Sequence, residues 1–368
     1  MLKAQETVLE IDLKAIQHNF KFLKSKLENN TKFLAVVKAF AYGSDAIEIA
    51  KYLENLGVDY FAVAYVDEGI SLRNAGIKTP ILVLHPLPEN FNAIIQHCLE
   101  PSIYSQRVLN EFIIVAENNK QKNYPIHIKF NTGLNRLGFA DTEVETILNN
   151  LKKTEAIKVK SLFSHLAASE DENEKTFTLN QITSFNNVSK KITEALPYQT
   201  MLHICNTSGI LNYPQAHLNM VRSGIGLYGF GNNPEINKHL KPIATLKTSI
   251  SQIHIIKKGN SLGYNRAFVA NKDVRTATLP IGHADGIGRP YGNGNGFVFI
   301  NGKKAFIIGN VCMDMIMVDI TSIPCKEGDE VIIFGPEHSA EELAGSIQSI
   351  SYELLTSVSQ RVKRSFRR

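Results

Sequence analysis

Lys38 ends the apolar run TKFLAVV and is followed by a turn of small residues and by Tyr42. An ammonium group at the mouth of a buried strand is costly to keep charged. Such a lysine is either paired or has its pKa lowered until the free amine can act as a nucleophile toward carbonyls. Read alone, Lys38 is a strand-end lysine reaching solvent; its companions change that reading. His165 ends VKSLFSH, and His203, Asn206 and Thr207 lie in HICNTSG. RSGIGLYG, residues 222 to 229, supplies Arg222 and a G-x-G-x-x-G from Gly224 to Gly229. A dinucleotide fingerprint needs a helix opening at those glycines, and FGNNPEINKH is poor material for one. The better reading is a glycine-rich turn whose bare N–H groups hold a single phosphate.

The elements that must position these groups follow from periodicity. Between residues 30 and 230, eight β-rich runs (FLAVVKA, YFAVAY, ILVLH, PSIYS, PIHIKF, VKSLFSH, QTMLHICN, LNMVRSG) alternate with amphipathic helical segments. That alternation fits an N-terminal (β/α)8 barrel, with an open doubly wound sheet as the other arrangement. Barrel enzymes carry reactive groups at the carboxyl ends of their strands and often bind phosphate after the seventh and eighth. Lys38, His165, His203, Thr207 and Arg222 all fall there. After about residue 235, strands punctuated by glycine-bearing turns predict a mostly antiparallel C-terminal β domain, with a helical stretch around AEELAGSIQSI. The expected division is 1–235 and 236–368, joined by GNNPEINKHLKP, with the first ~10 residues pairing with the β domain.

At 368 residues the chain is long enough for two domains, and its net charge of +5 is slight. The tail RVKRSFRR reads as a solvated terminus, because no stacking platform or base-reading motif accompanies it. No nucleic-acid partner is expected. Cys98, Cys205, Cys312 and Cys325 form no CxxC pair or zinc spacing, so they read as reduced thiols of a cytoplasmic protein with no bound metal. MLKAQETVLEIDLK is charged throughout, unlike a signal peptide, and no run approaches a membrane span.

AVVKAFAYG, IKFNTGLNRLG, HICNTSG, RSGIGLYG, SLGYNRAF, IGHADGIGRP and GNVCMDMIMVDI occur in this order along the chain. Together they resemble the alanine racemases that depend on pyridoxal 5'-phosphate, from end to end and in the two-domain layout. The resemblance implies that Lys38 holds the cofactor as an internal Schiff base. It places Tyr42, Thr207, Gly224 and Ile225 around the phosphate, His165 against the pyridine ring, and Arg222 at the ring nitrogen. Arg136 approaches the phenolic oxygen and the substrate carboxylate. Tyr264, from the β domain of the second subunit of a homodimer, completes a shared site, with a substrate contact from Met313 and with Asp314 in support. Without the resemblance, Tyr264 reads as a buried hairpin tyrosine, Met313 as core, Asp314 as a turn former, Arg136 as a helix-end surface arginine and His165 as a satisfied interior histidine.

Racemisation of alanine needs two bases on opposite sides of a flat intermediate; the resemblance implies Lys38 for the D-enantiomer and Tyr264 for the L-enantiomer. An ordinary phenol keeps its proton until about pH 10, so a tyrosine base needs a positive field, which His165, Arg222 and His203 would supply. An always-charged arginine at the ring nitrogen opposes its protonation, favouring racemisation over decarboxylation or transamination. The product would be D-alanine for peptidoglycan. A broad-specificity racemase, a basic amino-acid decarboxylase and a non-catalytic cofactor carrier are the rival readings. Arg222 disfavours the decarboxylase and the second domain disfavours the carrier. The chain departs from the family pattern at Phe40 and Ser44 in the lysine motif, and at His283, where a tyrosine is frequent. Thr207 replaces a common serine and keeps its hydroxyl. In SVSQRVKR, Gln360 stands where many members carry a phosphate-binding tyrosine. Lys129 matches a lysine that is carbamylated in some relatives, where it orients the residue equivalent to Arg136.

Overall fold

The computed structural model describes residues 6–231 and 234–368. The first five residues, and Asn232 and Asn233 of the expected link, lie outside the described residues. The chain opens with β1 (Val8–Asp12) and a helix, Leu13–Lys24, whose first turn is capped by the Asp12 carboxylate accepting from the Ala15 N–H at 3.1 Å. Eight parallel strands follow: β2 (Lys32–Val36), β3 (Tyr60–Val63), β4 (Ile81–Val83), β5 (Glu100–Ile103), β6 (Tyr124–Lys129), β7 (Ile157–Phe163), β8 (Met201–His203) and β9 (Met220–Ser223). Each of the eight runs expected from the sequence yields one strand. They pair in chain order from β2 to β8, and β9 returns to pair with β2. The Asn219 N–H to Leu202 oxygen (3.1 Å) and Arg222 N–H to Cys205 oxygen (3.1 Å) bonds tie β9 to the β8 segment. The sheet is a closed barrel, and the open doubly wound alternative falls.

Side chains alternate between two environments along these strands. Phe33, Ala35, Phe61 and Val63 face the helical layer, in one core with Leu53 and Phe112. Leu34, Tyr60, Ala62, Leu82 and Met220 form a separate apolar cluster inside the barrel. The interior also holds polar groups: Glu100, His127, Ser161, His203 and Arg222 are all buried.

The second sheet has nine strands, in spatial order Gln252–Ile256, Val274–Leu279, Ile316–Asp319, Lys303–Ile308, Phe297–Ile300, Glu330–Phe334, Ala244–Ser249, β1 and Lys363–Arg367. Pairing is antiparallel except between β1 and Lys363–Arg367. The C-terminal tail, expected to be solvated, is therefore an edge strand. Its charge count masks buried Val362 and half-buried Phe366, which pack on the core, and Arg364, which finds carbonyl acceptors in the barrel domain. The helical stretch expected around AEELAGSIQSI stops early: Ala340–Gly345 and Ser351–Ser357 are separate helices, with Gln348 between them at φ 59°. The four cysteines are free thiols, and no described helix is long and apolar enough to cross a membrane.

Candidate active site

Lys38 stands two residues past the end of β2, after Val37, and the next four residues make a left-handed turn. Ala39, Phe40, Ala41 and Tyr42 have φ of 51–55° and ψ of 40–58°. Four consecutive non-glycine residues in this region cost about 1–2 kcal/mol each, so the surroundings must impose the conformation. The Glu68 carboxylate accepts from the Ala39 N–H at 2.6 Å, and from Ala64 and Tyr65 at 2.7 and 3.1 Å, locking the turn to the start of the helix Val66–Asn74. Tyr42 is buried and stacks on Tyr228, with ring centroids 4.5 Å apart. The Arg364 guanidinium donates to the Gly43 and Ser44 carbonyls at 2.8 and 3.2 Å. Gly43 itself has φ 81° and lies against the Leu355 carbonyl, where a Cβ would stand 2.1 Å from the oxygen.

The turn holds Lys38 on a cavity of about 600 Å³ at the carboxyl end of the barrel, also lined by Tyr42, Lys129, Arg136, His165, Thr207, Arg222, Gly224 and Ile225. Lys38, Lys129, Arg136 and Arg222 are its cations, and among the described residues no carboxylate lines it. Burial first, and then the Arg136 charge, lower the Lys38 pKa; Glu68 opposes them. Lys129 is pushed down to about 8 by burial and by the charges of Arg136, Arg222 and Lys38. Arg136 pairs with no carboxylate among the described residues, so it is available for a ligand's carboxylate.

Arg222 is the most enclosed of the four. Its guanidinium donates to the Ser164 and Ile204 carbonyls at 2.6 and 3.2 Å, and meets His203 Nδ1 at 2.7 Å and His165 Nδ1 at 3.2 Å. Burial lowers its pKa to about 10, which leaves it charged at neutral pH. Burial and then the Arg222 charge hold both histidines well below the usual imidazole range, so both are neutral acceptors toward the guanidinium. Phe163 stacks on His203 at 5.0 Å, with the guanidinium carbon 5.4 Å from its ring centre.

At the other end of the cavity the Thr207 hydroxyl lies 3.0 Å from that of Ser223 and accepts from the Gly226 N–H at 3.3 Å. A Cβ on Gly224 would lie 2.2 Å from the Tyr42 hydroxyl oxygen, and one on Gly226 would lie 2.5 Å from Thr207 Cγ2. Bare glycines are what let hydroxyls and backbone N–H groups converge here. Burial raises the Tyr42 pKa, so its hydroxyl remains a donor.

His203 sits behind Arg222 and does not line the cavity. Tyr264, Met313 and Asp314 lie on the β domain, away from the cavity of their own chain. Tyr264 is 72% and Met313 58% exposed, so neither is the core residue that a reading without the resemblance suggests. Asp314 pairs with Arg361 at 2.6 Å. Arg136 lies in the irregular segment after β6 and not at a helix end. Gln360 is exposed and off the cavity; the tyrosine that reaches it from this region is Tyr352, eight positions upstream. Tyr352 and Glu68 were missed by sequence reasoning, since neither falls in a glycine-rich or strand-end motif.

A closed barrel joined to a β domain, with a lysine and a buried arginine on a cavity at the carboxyl ends of its strands, defines a two-domain barrel protein with a cationic cavity at that end. Residues 11–232 match the family description "Alanine racemase, N-terminal domain", and 243–366 match "Alanine racemase, C-terminal domain". The chain belongs to the alanine racemase family. It is 36% identical to alanine racemase 2 of Caldanaerobacter subterraneus over 98% of this chain and 94% of the relative. Its fold superposes on the alanine racemase of Clostridium difficile 630 with a TM-score of 0.92 at 34% identity, covering 98% and 96% of the two chains. The alanine racemase of Bartonella henselae, a structure with covalently bound pyridoxal phosphate, gives 0.90 at 29% identity over 98% and 99%.

Proposed function

We propose that this protein is an alanine racemase that uses pyridoxal 5'-phosphate to interconvert L- and D-alanine, supplying D-alanine for peptidoglycan in the cytoplasm. One observation carries the reading: Lys38 and Arg222 share a cavity with two further cations and, among the described residues, no carboxylate. That charge balance suits a ligand bearing a phosphate and a carboxylate. It disfavours a decarboxylase, which needs an acid at the ring nitrogen.

The residues present fit the cofactor. Tyr42, Thr207, Gly224 and Ile225 would form a cradle for a phosphate, with Ser223 supporting the Thr207 hydroxyl, and Lys38 would hold the aldehyde carbon covalently. When bound, pyridoxal phosphate supplies an electrophilic carbon for the substrate amine and a ring that spreads the electron pair left by the α-proton. Arg222, charged and fixed by the Ser164 and Ile204 carbonyls, would oppose protonation of the ring nitrogen and so favour return of the proton to the α-carbon. Arg136 holds the alanine carboxylate. Lys38 Nζ, released when the substrate amine takes its place on that carbon and kept uncharged by burial, would take or return the α-proton on one face. Tyr264 Oη of the partner subunit does so on the other, with Met313 beside the substrate. The exposure of Tyr264 and Met313 supports a homodimer with shared sites. A neutral Lys129 can take up CO2, and its carbamate would give Arg136 the anion it lacks.

The test is to incubate the purified protein with single L-amino acids in heavy water while following loss of chirality and gain of deuterium. Alanine alone should respond; response to many amino acids selects a broad racemase, and CO2 release selects a decarboxylase. In Tyr264→Phe, exchange from L-alanine should fall about 10²–10⁴-fold with cofactor binding intact. Unchanged exchange removes tyrosine from its role, and full activity in a diluted monomer removes the shared site.

A further inference from the structure

Behind Arg222 the barrel interior holds a continuous line of hydrogen bonds that the reaction, as set out above, does not use. His203 Nε2 lies 2.8 Å from Ser161 Oγ, Ser161 Oγ lies 2.6 Å from His127 Nδ1, and His127 Nε2 lies 2.6 Å from Glu100 Oε2. With the 2.7 Å contact between Arg222 and His203, the line takes one residue from each of five adjacent strands, β9, β8, β7, β6 and β5. Glu100 opens β5, whereas Arg222 lies near the end of β9, so the line descends from the cavity toward the amino-terminal end of the barrel. All five residues are buried. Its middle depends on an irregularity: Ile126 pairs with Val159 but His127 pairs with Ser161, and Lys160 is skipped. A bulge of this kind re-aims the side chains that follow it, and here it sets the serine hydroxyl between the two histidines.

The two ends fix the direction of every bond between them. A guanidinium only donates and a carboxylate only accepts. His203 must therefore accept at Nδ1 and carry its proton on Nε2. Ser161 must accept from His203 and donate to His127 Nδ1, and His127 must carry its proton on Nε2 and give it to Glu100. Each imidazole makes one acceptor and one donor contact, as its neutral form requires. In a low-dielectric interior such aligned bonds polarise one another. No carboxylate among the described residues lines the cavity, and this line connects Arg222 to the carboxylate of Glu100.

We propose that Glu100 is a positioning residue for Arg222, acting through His127, Ser161 and His203 to keep a lone pair, never an N–H, presented to the guanidinium. This rests on Arg222 serving the cofactor's ring nitrogen as described above. Without the carboxylate the line can reverse. His203 then turns an Nδ1–H toward a donor, and Arg222 shifts on its remaining carbonyl contacts. A less fixed cation at the ring nitrogen lets protonation compete. More turnovers then end in transamination, in which the substrate amine stays on the cofactor as pyridoxamine phosphate and pyruvate leaves after hydrolysis.

The experiment compares the holoenzyme with Glu100→Gln, Ser161→Ala and Ser161→Thr. ¹⁵N-histidine NMR reads the tautomers, and kcat, KM and pyruvate formed per racemisation are measured with L-alanine. In the unaltered protein His127 and His203 should both be Nε2–H tautomers. Glu100→Gln and Ser161→Ala should convert part of His203 to the other tautomer. In both, kcat should fall and the pyruvate fraction rise about tenfold, the scale of one lost charge-assisted hydrogen bond, with KM within about twofold. Ser161→Thr, which keeps the hydroxyl, should restore both. Wild-type tautomers and an unchanged pyruvate fraction in Glu100→Gln and Ser161→Ala overturn the proposal. If Glu100→Gln fails to fold, the Ser161 pair decides alone. Absence of any reaction with alanine in the unaltered enzyme would count against the functional reading, while the tautomers would still decide the direction of the line.

Discussion

Two lysines of this chain are almost equally hidden and chemically opposite. Lys129 in the barrel is 8% exposed and Lys247 in the nine-stranded sheet is 4% exposed. Lys247 Nζ lies 3.0 Å from a Glu10 oxygen and 3.6 Å from a Glu330 oxygen, so two carboxylates from the flanking strands hold its charge. Lys129 has no carboxylate partner among the described residues, and burial, followed by the charges of Arg136, Arg222 and Lys38, presses its pKa down to about 8. Lys38 shares that cavity and that direction of shift. Burial with a counter-charge keeps an amine charged; burial without one lowers its pKa here. The β domain neutralises its buried lysine, and the barrel leaves its own in a cationic cluster that an anionic ligand completes.

The sharpest break of this contrast exchanges the roles. Lys38→Ala should lower racemisation by at least about 10⁴-fold, the upper range for a lost acid–base group, and borohydride should no longer tether cofactor to the chain. Residual tethering would show that another amine does the work. Lys247→Met should leave activity per folded molecule unchanged but cost about 3–5 kcal/mol of stability, because two carboxylates lose their partner. Denaturant melts of the two variants read the difference directly, and a stable Lys247→Met protein would mean that the pairing in the sheet is incidental.

The same contrast explains what the sequence could reveal. The barrel strands were legible because strands buried on both faces are continuous apolar runs, and Lys38 was legible as the polar residue ending one of them. Arg222 and Thr207 stood out at the ends of later strands for the same reason. Lys247 carried no such signal, since its two carboxylates come from positions 10 and 330, far apart in the chain. Tyr352 and Glu68 were hidden likewise: one reaches the cavity from a helix after the sheet, the other through bonds to backbone N–H groups. The tail misled because charge composition hides which alternate residues are buried. Its Val362 and Phe366 are the period-two signal of an edge strand.

Acid–base linkage sharpens the comparison further. The folded pKa of Lys129 is near 8 and the unfolded value near 10.5. Between those limits the unfolded chain binds more protons, so stability should rise as pH increases from about 8 to about 10.5. The gain in cofactor-free protein should reach at most about 3 kcal/mol, and Lys129→Met should remove most of it. Urea melts across that range check the slope, and an identical slope in the variant would assign the rise to another group.

The smallest effect expected concerns how the sheet supports the reactive lysine from a distance. Arg364 comes from the last strand, yet its guanidinium spans the Gly43 and Ser44 carbonyls as well as the Val358 carbonyl at 2.9 Å. It thus joins the end of the left-handed turn to the C-terminal segment. Arg364→Met should cost about 1–3 kcal/mol, the range for hydrogen bonds to a charged group. Because the turn carries both Lys38 and Tyr42, the loss should appear as weaker cofactor binding in a fluorescence titration, with kcat at saturating cofactor little changed. Arg364→Lys separates charge from geometry. A single ammonium cannot span carbonyls that a planar fork reaches together, so lysine should rescue little. Full rescue by lysine would mean that positive charge near the turn is sufficient, and that the fork does not hold the strained residues in place.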